Sequence, residues 1–331
     1  IASSGISSRI AIAYEACGWI SKRRSSIRSL SAVSSSSRDG RLRLWRGTRS
    51  TSSARPARAS AAMPPGGKTP AGGVPALATS NAPPLRLPGE HFAAALIFWI
   101  AGAIGLVWVA PDLARGLFPL PRVVAVTHLF TLGWITTTIQ GALYQFLPVA
   151  LATPIRSQRA AHLSVALYAP GVTAFVTGLL LPSYALLLAG AVTFGLGLLV
   201  FIGNLGLTLA RSRQRNVTWW ALVGAAVSLL MTVVLGVSLA GNLRWGYIGE
   251  DRFLAVGVHM HVALAGWVML VIVGVSQRLL PMFLVSHGVS DRPARLALGL
   301  LGGGVALLVS LHHALTPRST WVIAAMLIAG V

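Results

Sequence analysis

Charge is what this chain lacks most. Only 10% of its 331 residues are charged, against about 25% in a soluble globular domain, so a soluble fold is excluded. Cysteine occurs once, at Cys17, which rules out an intramolecular disulfide and any cysteine-based metal site. Any metal or haem must then take histidine or oxygen ligands, a set that suits imidazole-binding metals such as iron and copper. Acid is the scarcest charge of all: seven Asp and Glu stand against 27 Lys and Arg, a net charge of +20. That excess does not mark a nucleic-acid partner. Fourteen of the basic residues precede His91, and the rest sit almost entirely in loops between apolar runs, where the positive-inside rule puts them.

What the chain has in abundance is apolar sequence: 54% hydrophobic residues and a mean hydropathy of +0.72. The expected class is an all-α, polytopic transmembrane helix bundle whose partner is the lipid bilayer. Residues 1–62 form a basic Ser/Arg-rich leader that cannot bury a core, either disordered or a mis-assigned start, since the first methionine is Met63. Residues 63–90 read as a Pro/Gly/Ala-rich linker. The transmembrane domain is expected over 91–331, with spans near 91–110, 123–150, 162–181, 184–210, 217–240, 254–285 and 295–315. An eighth, begun at Ser319, reads as truncated. Trp219, Trp220, Trp245 and Trp321 flank apolar runs as interfacial anchors.

Loop charge sets the expected orientation. With the N-terminus inside, the inner loops carry Arg156, Arg159, Arg211, Arg213, Arg215, Arg292 and Arg295. Spans two and six then run inward, which brings His128, His259 and His261 near the outer face. Span seven ends in SLHHALTP, placing His312 and His313 at the same level.

Two of these histidines head the same frame. From His128 the chain reads HLFTLGWITTTIQGALYQFLP, and from His261 it reads HVALAGWVMLVIVGVSQRLLP. A Gly-Trp pair, a second glycine and a proline fall at identical distances from each histidine. The spacing implies an internal four-helix repeat of 133 residues. Its glycines (Gly133 and Gly141, Gly266 and Gly274) would admit close neighbours, and Pro148 and Pro281 would kink or terminate their helices. His259 and His261 point about 200° apart on a helix, so one helix can serve two sides. A histidine in the hydrocarbon layer is a functional-site hypothesis by default; the plain alternative is a helix-end ring bonded to a carbonyl or to interfacial water. His91 and His162 read as interface residues, and Arg278 as snorkelling.

The run from His261 through Gly274 and Pro281 to His312-His313, with Thr316-Pro317 and Trp321 following, resembles helices six and seven of haem–copper oxidase catalytic subunits. The C-class cytochrome oxidases and nitric oxide reductases are the most similar forms. The resemblance covers roughly residues 91–331, and those subunits are likewise built from arcs of four helices. It implies His128 as axial ligand of a low-spin haem, and His261, His312 and His313 as ligands of copper or non-haem iron. His259 has no counterpart there and is a second candidate cofactor ligand. The resemblance further implies electron transfer to O2 or NO, a cytochrome c-type or quinol donor, partner subunits and a bacterial inner membrane. The sequence departs from the family in having no helix-ten histidines and no Asp, Glu or Lys inside the expected spans; Tyr144, Thr136 to Thr138 and Ser276 would have to support any water chain. The HMH with its Gly-Trp also resembles shorter membrane haem proteins that respond to nitric oxide. A non-catalytic haem or copper sensor or assembly protein is therefore the second reading, and a transporter with a histidine proton relay the third.

Overall fold

The computed structural model describes residues 83–284, 290–311 and 317–331. Among them there are eight helices and no strand. We label them α1 (Arg86–Ala114), α2 (Pro121–Ala150), α3 (Gln158–Leu180), α4 (Tyr184–Arg211), α5 (Val217–Trp245), α6 (Arg252–Phe283), α7 (Arg292–Leu311) and α8 (Pro317–Ala329). The first seven are long and apolar enough to cross a bilayer; α8 is shorter. The all-α transmembrane bundle expected from composition is what forms. The leader, the linker up to residue 82, Cys17, His287, His312 and His313 lie outside the described residues.

Local chemistry sets the helix boundaries. Ser157 and Asn216 cap α3 and α5 by accepting from Ala160 N at 3.1 Å and Trp219 N at 3.0 Å. Gly246 closes α5 with φ of 67°, the left-handed conformation that glycine adopts without penalty. Both frame prolines act as terminators. α2 ends at Ala150, two residues past Pro148, and α6 at Phe283, two past Pro281. One boundary differs from expectation: α1 starts at Arg86, five residues before His91. The extra turn carries Glu90 into the helix and the other end carries Asp112, so α1 is not free of acid. Both fall just outside the expected span of 91–110, and in the structure each is neutralised locally. Glu90 meets Arg86 and His162 at 2.7 Å each, and Asp112 takes Arg122 bidentately at 2.5 and 2.6 Å.

With lipid outside, apolar burial drives helix association weakly, and close packing at small residues takes over. The tight approaches recur at matched positions. Gly133 and Gly141 of α2 face Phe98 and His91 of α1; Gly266 and Gly274 of α6 face Ser228 and Ala221 of α5. Gly171 of α3 faces Phe194 of α4, while Gly304 of α7, 133 residues on, faces Leu327 of α8. A Cβ on Gly197 would lie 2.8 Å from Tyr168 N and 2.9 Å from Ser164 O. One on Gly330 would lie 3.0 Å from Leu301 N and 3.1 Å from Ala297 O, again the same residues shifted by 133. Between the first four helices and the last four, Phe201 of α4 packs edge-on against Trp267 of α6 with ring centroids 6.0 Å apart.

At the arginine-rich end of the bundle, Asn204 of α4 clamps the start of α3. Its Oδ1 accepts from Ser157 N at 3.0 Å and its Nδ2 donates to Ser157 O at 2.9 Å. The adjacent Thr208 Oγ1 accepts from Arg156 N at 2.9 Å. These bonds satisfy backbone groups of the α2–α3 turn that no helix would otherwise reach.

Candidate histidine site

Each frame histidine stands immediately before a change in helix winding. Leu129–Thr136 in α2 and Val262–Met269 in α6 are π-helical, eight residues each, and begin at the residue after His128 and His261. π segments inside α-helices are rare and concentrate at functional sites. The rings are held alike. His128 Nδ1 bonds Val124 O at 2.8 Å, and His261 Nδ1 bonds Gly257 O at 2.8 Å. A proton on Nδ1 that donates to the carbonyl leaves Nε2 as the lone-pair nitrogen, the arrangement of most metal-ligating histidines. The carbonyl bond expected of an ordinary helix-end histidine is therefore present, and it is also the bond a ligand would use to fix its tautomer.

The surroundings of the two rings differ. His128 is half-buried and packs edge-on to Phe175 of α3, centroids 5.2 Å apart. His259 lies on the other side of α6 from His261. It presses on Gly236 of α5, where an added Cβ would come within 3.1 Å of its Cε1. Its ring reaches the Thr232 carbonyl and lies close enough to His128 to interact electrostatically. Its Nδ1 is buried with no hydrogen-bond partner among the described residues. His128 and His259 thus lie in the same part of the bundle, one from each set of four helices.

His261 is exposed and lines a groove of about 420 Å³ with Met260, Leu264, Ala265 and Met269 of α6 and Leu327, Ile328 and Val331 at and after α8. That volume is in the range of small-molecule and cofactor sites. His261 is the groove's polar member; every other lining side chain is apolar. Among the described residues no three His, Cys, Asp or Glu side chains converge as a metal-binding group. Whether His312 and His313 join His261 lies outside those residues.

His91 overturns its reading as an interface residue. It is fully buried between α1 and α2, with Nδ1 on Leu87 O at 2.9 Å and its ring edge-on to Tyr144 at 5.4 Å. α1 starts early enough to place it a full turn inside. His162 stays half-exposed, paired with Glu90, and Arg278 is exposed.

Two of the residues expected to support a water chain, Thr137 and Tyr144, belong to a buried polar column beneath the His128 layer, and sequence reasoning missed its third member, Gln140. Thr137, Gln140 and Tyr144 are all at most 1% exposed and share one face of α2. Thr137 Oγ1 and Tyr168 OH both donate to Leu132 O, inside the π segment, at 3.1 and 2.9 Å. The i, i+3, i+7 spacing of these three residues was the available signal. No family model, no curated protein and no solved structure matches the chain.

Proposed function

We propose that this chain is a haem-binding integral membrane protein of the terminal oxidase or nitric oxide reductase type. His128 and His259 are the cofactor ligands, and His261 is the first ligand of a second metal, copper or non-haem iron, completed by His312 and His313. One observation carries the reading: two histidines at the same place in a repeated frame each tie Nδ1 to the carbonyl four residues back and present Nε2 just before a π segment. The residues fit the group. His259 offers a buried Nδ1 without a partner, a state that costs free energy unless something is bonded there, and His261 offers a ring nitrogen over an apolar groove. Bound haem supplies one-electron chemistry. The protein's part is to fix the imidazole tautomers, exclude water with Phe175 and the apolar groove wall, and hold the two loci apart on opposite sides of α6. The matched contacts support a duplicated four-helix unit, α1–α4 and α5–α8. The loop arginines support an N-terminus on the cytoplasmic side of a bacterial inner membrane.

A second reading has its own support. Among the described residues, the histidine that senses His128 electrostatically is His259. If His128 and His259 both held the haem, that group would serve electron transfer or sensing rather than O2 or NO reduction, as suits an electron carrier, sensor or assembly protein.

The test is a reduced-minus-oxidised spectrum of the full protein with His128→Ala, His259→Ala and His261→Ala. Loss of the low-spin haem signal in the first two with retention in the third fits the assignment. A folded protein that stays colourless when supplied with haem refutes it. Turnover of O2 or NO that disappears with His261→Ala separates the enzyme from the sensor.

A further inference from the structure

The lower part of the polar column holds more hydrogen-bonding capacity than the protein fills. Gln140 is 0% exposed, and neither its Oε1 nor its Nε2 has a partner among the described residues. The same is true of His91 Nε2, on a ring that is itself 0% exposed. Gln140 and Tyr144 stand one turn apart on the same face of α2. Tyr144 is edge-on to His91, and a Cβ added to Gly141, next to Gln140, would lie 2.8 Å from the His91 Cβ. The three polar side chains therefore share one neighbourhood between α1, α2 and α4. The Tyr144 hydroxyl bonds Ser164 and accepts from Asn204 Nδ2 at 3.5 Å, a long bond.

Leaving a buried amide wholly unbonded forfeits the hydration of each of its polar groups with nothing in return. Apolar walls repel water, whereas a polar neighbourhood with two to four free partners is where internal water is found. We infer that α1, α2 and α4 enclose a water-binding site formed by His91 Nε2, the Gln140 amide and the Tyr144 hydroxyl. A bound water accepts from the Gln140 Nε2 amide or the Tyr144 hydroxyl and donates to Gln140 Oε1 and His91 Nε2. Solvent comes near on one side: Glu90, next in sequence to His91, forms with His162 a pair whose side chains are 31% and 36% exposed. From Tyr144 the column leads through Gln140 to Thr137, a rise of about 10 Å along the α-helical part of α2, and on to the Leu132 carbonyl. The site gives water a foothold in the first four helices below the His128 layer. It is independent of any metal, since none of its residues is a proposed ligand.

Radiolytic hydroxyl footprinting of the full-length protein in nanodiscs tests it, because radicals formed from bound water label the side chains beside it even when bulk solvent cannot reach them. His91 and Tyr144 are expected to be labelled, while Leu222 and Leu229 of α5, equally buried, are not. Gln140→Leu should abolish labelling at His91 and Tyr144 and leave it unchanged at exposed Tyr247. If wild-type His91 and Tyr144 are as silent as Leu222, or if all four are labelled together, the site does not exist. If Gln140→Leu fails to fold, the wild-type comparison decides alone.

Discussion

Helices α2 and α6 carry the same frame of histidine, glycines, tryptophan and proline and put it to opposite uses. In the first the frame tryptophan, Trp134, is 39% exposed to the lipid side, while the column Thr137, Gln140, Tyr144 is sealed inside. In the second the frame tryptophan, Trp267, is 1% exposed. The column positions there are occupied by Leu270, Val273 and Gln277, and the histidine faces outward. Backbone geometry, including the π segment and the glycine contacts, is common to both. What differs is which side of the helix meets protein and which meets lipid. A shared frame thus fixes where a histidine stands, while its neighbours differ: Phe175 inside the bundle for His128, an apolar groove for His261.

The sharpest way to break this comparison is through the two tryptophans. Trp267→Ala empties a core site packed on Phe201 and should cost about 4 kcal/mol; Trp134→Ala removes a half-exposed ring and should cost about 1 kcal/mol or less. Thermal unfolding of the two variants in the same detergent checks it. Equal losses would mean that the two sets of helices are buried alike after all.

Next in size are the paired glycines. An Ala Cβ on Gly171 would meet the backbone of Phe194, which cannot yield without moving α4. One on Gly304 would meet the end of the Leu327 side chain, its Cδ2 at 2.8 Å, which can rotate away. Gly171→Ala should therefore cost about 3 kcal/mol and Gly304→Ala about 1 kcal/mol, read from midpoint shifts in the same unfolding assay. A larger loss for Gly304→Ala would show that the α7–α8 contact, not α3–α4, is the tighter.

Much of this architecture was legible in the sequence, and the reason is physical. Bilayer thickness demands about 20 apolar residues per span, so hydropathy located every crossing helix to within a few residues. The two frames were legible because glycine, tryptophan and proline have few substitutes where helices touch or stop. The π segments were not, since LFTLGWIT and VALAGWVM contain nothing that separates an i+5 from an i+4 ladder. Nor was the direction of each histidine within the bundle. His259 faces Gly236 because α6 packs on α5, through Gly266 and Gly274 among other contacts, and no local spacing encodes that contact. His91 was misread for a related reason. A helix start was placed by hydropathy, and the charges of Arg86 and Glu90, which satisfy each other and His162, hid one more turn.

The smallest expected effect concerns the turn between α1 and α2. Asp112 stands 21 residues after His91, the residue that meets Gly141; in α5, Asn242 stands 21 residues after Ala221, which meets Gly274. The two positions are equivalent by contact, yet one carries an ion pair and the other a neutral amide. Asn242 Oδ1 accepts from Ile248 N at 2.7 Å and so organises its turn without charge. Asp112→Asn converts the first turn to the chemistry of the second. Arg122 is 46% exposed, so solvent screens the pair and little stability rests on it. The variant should unfold slightly below wild type at low salt and together with it at high salt, where exposed pairs are screened most. A gap that persists at high salt would mean that the α1–α2 turn depends on its charge for geometry as well as attraction, and that the two turns are not interchangeable.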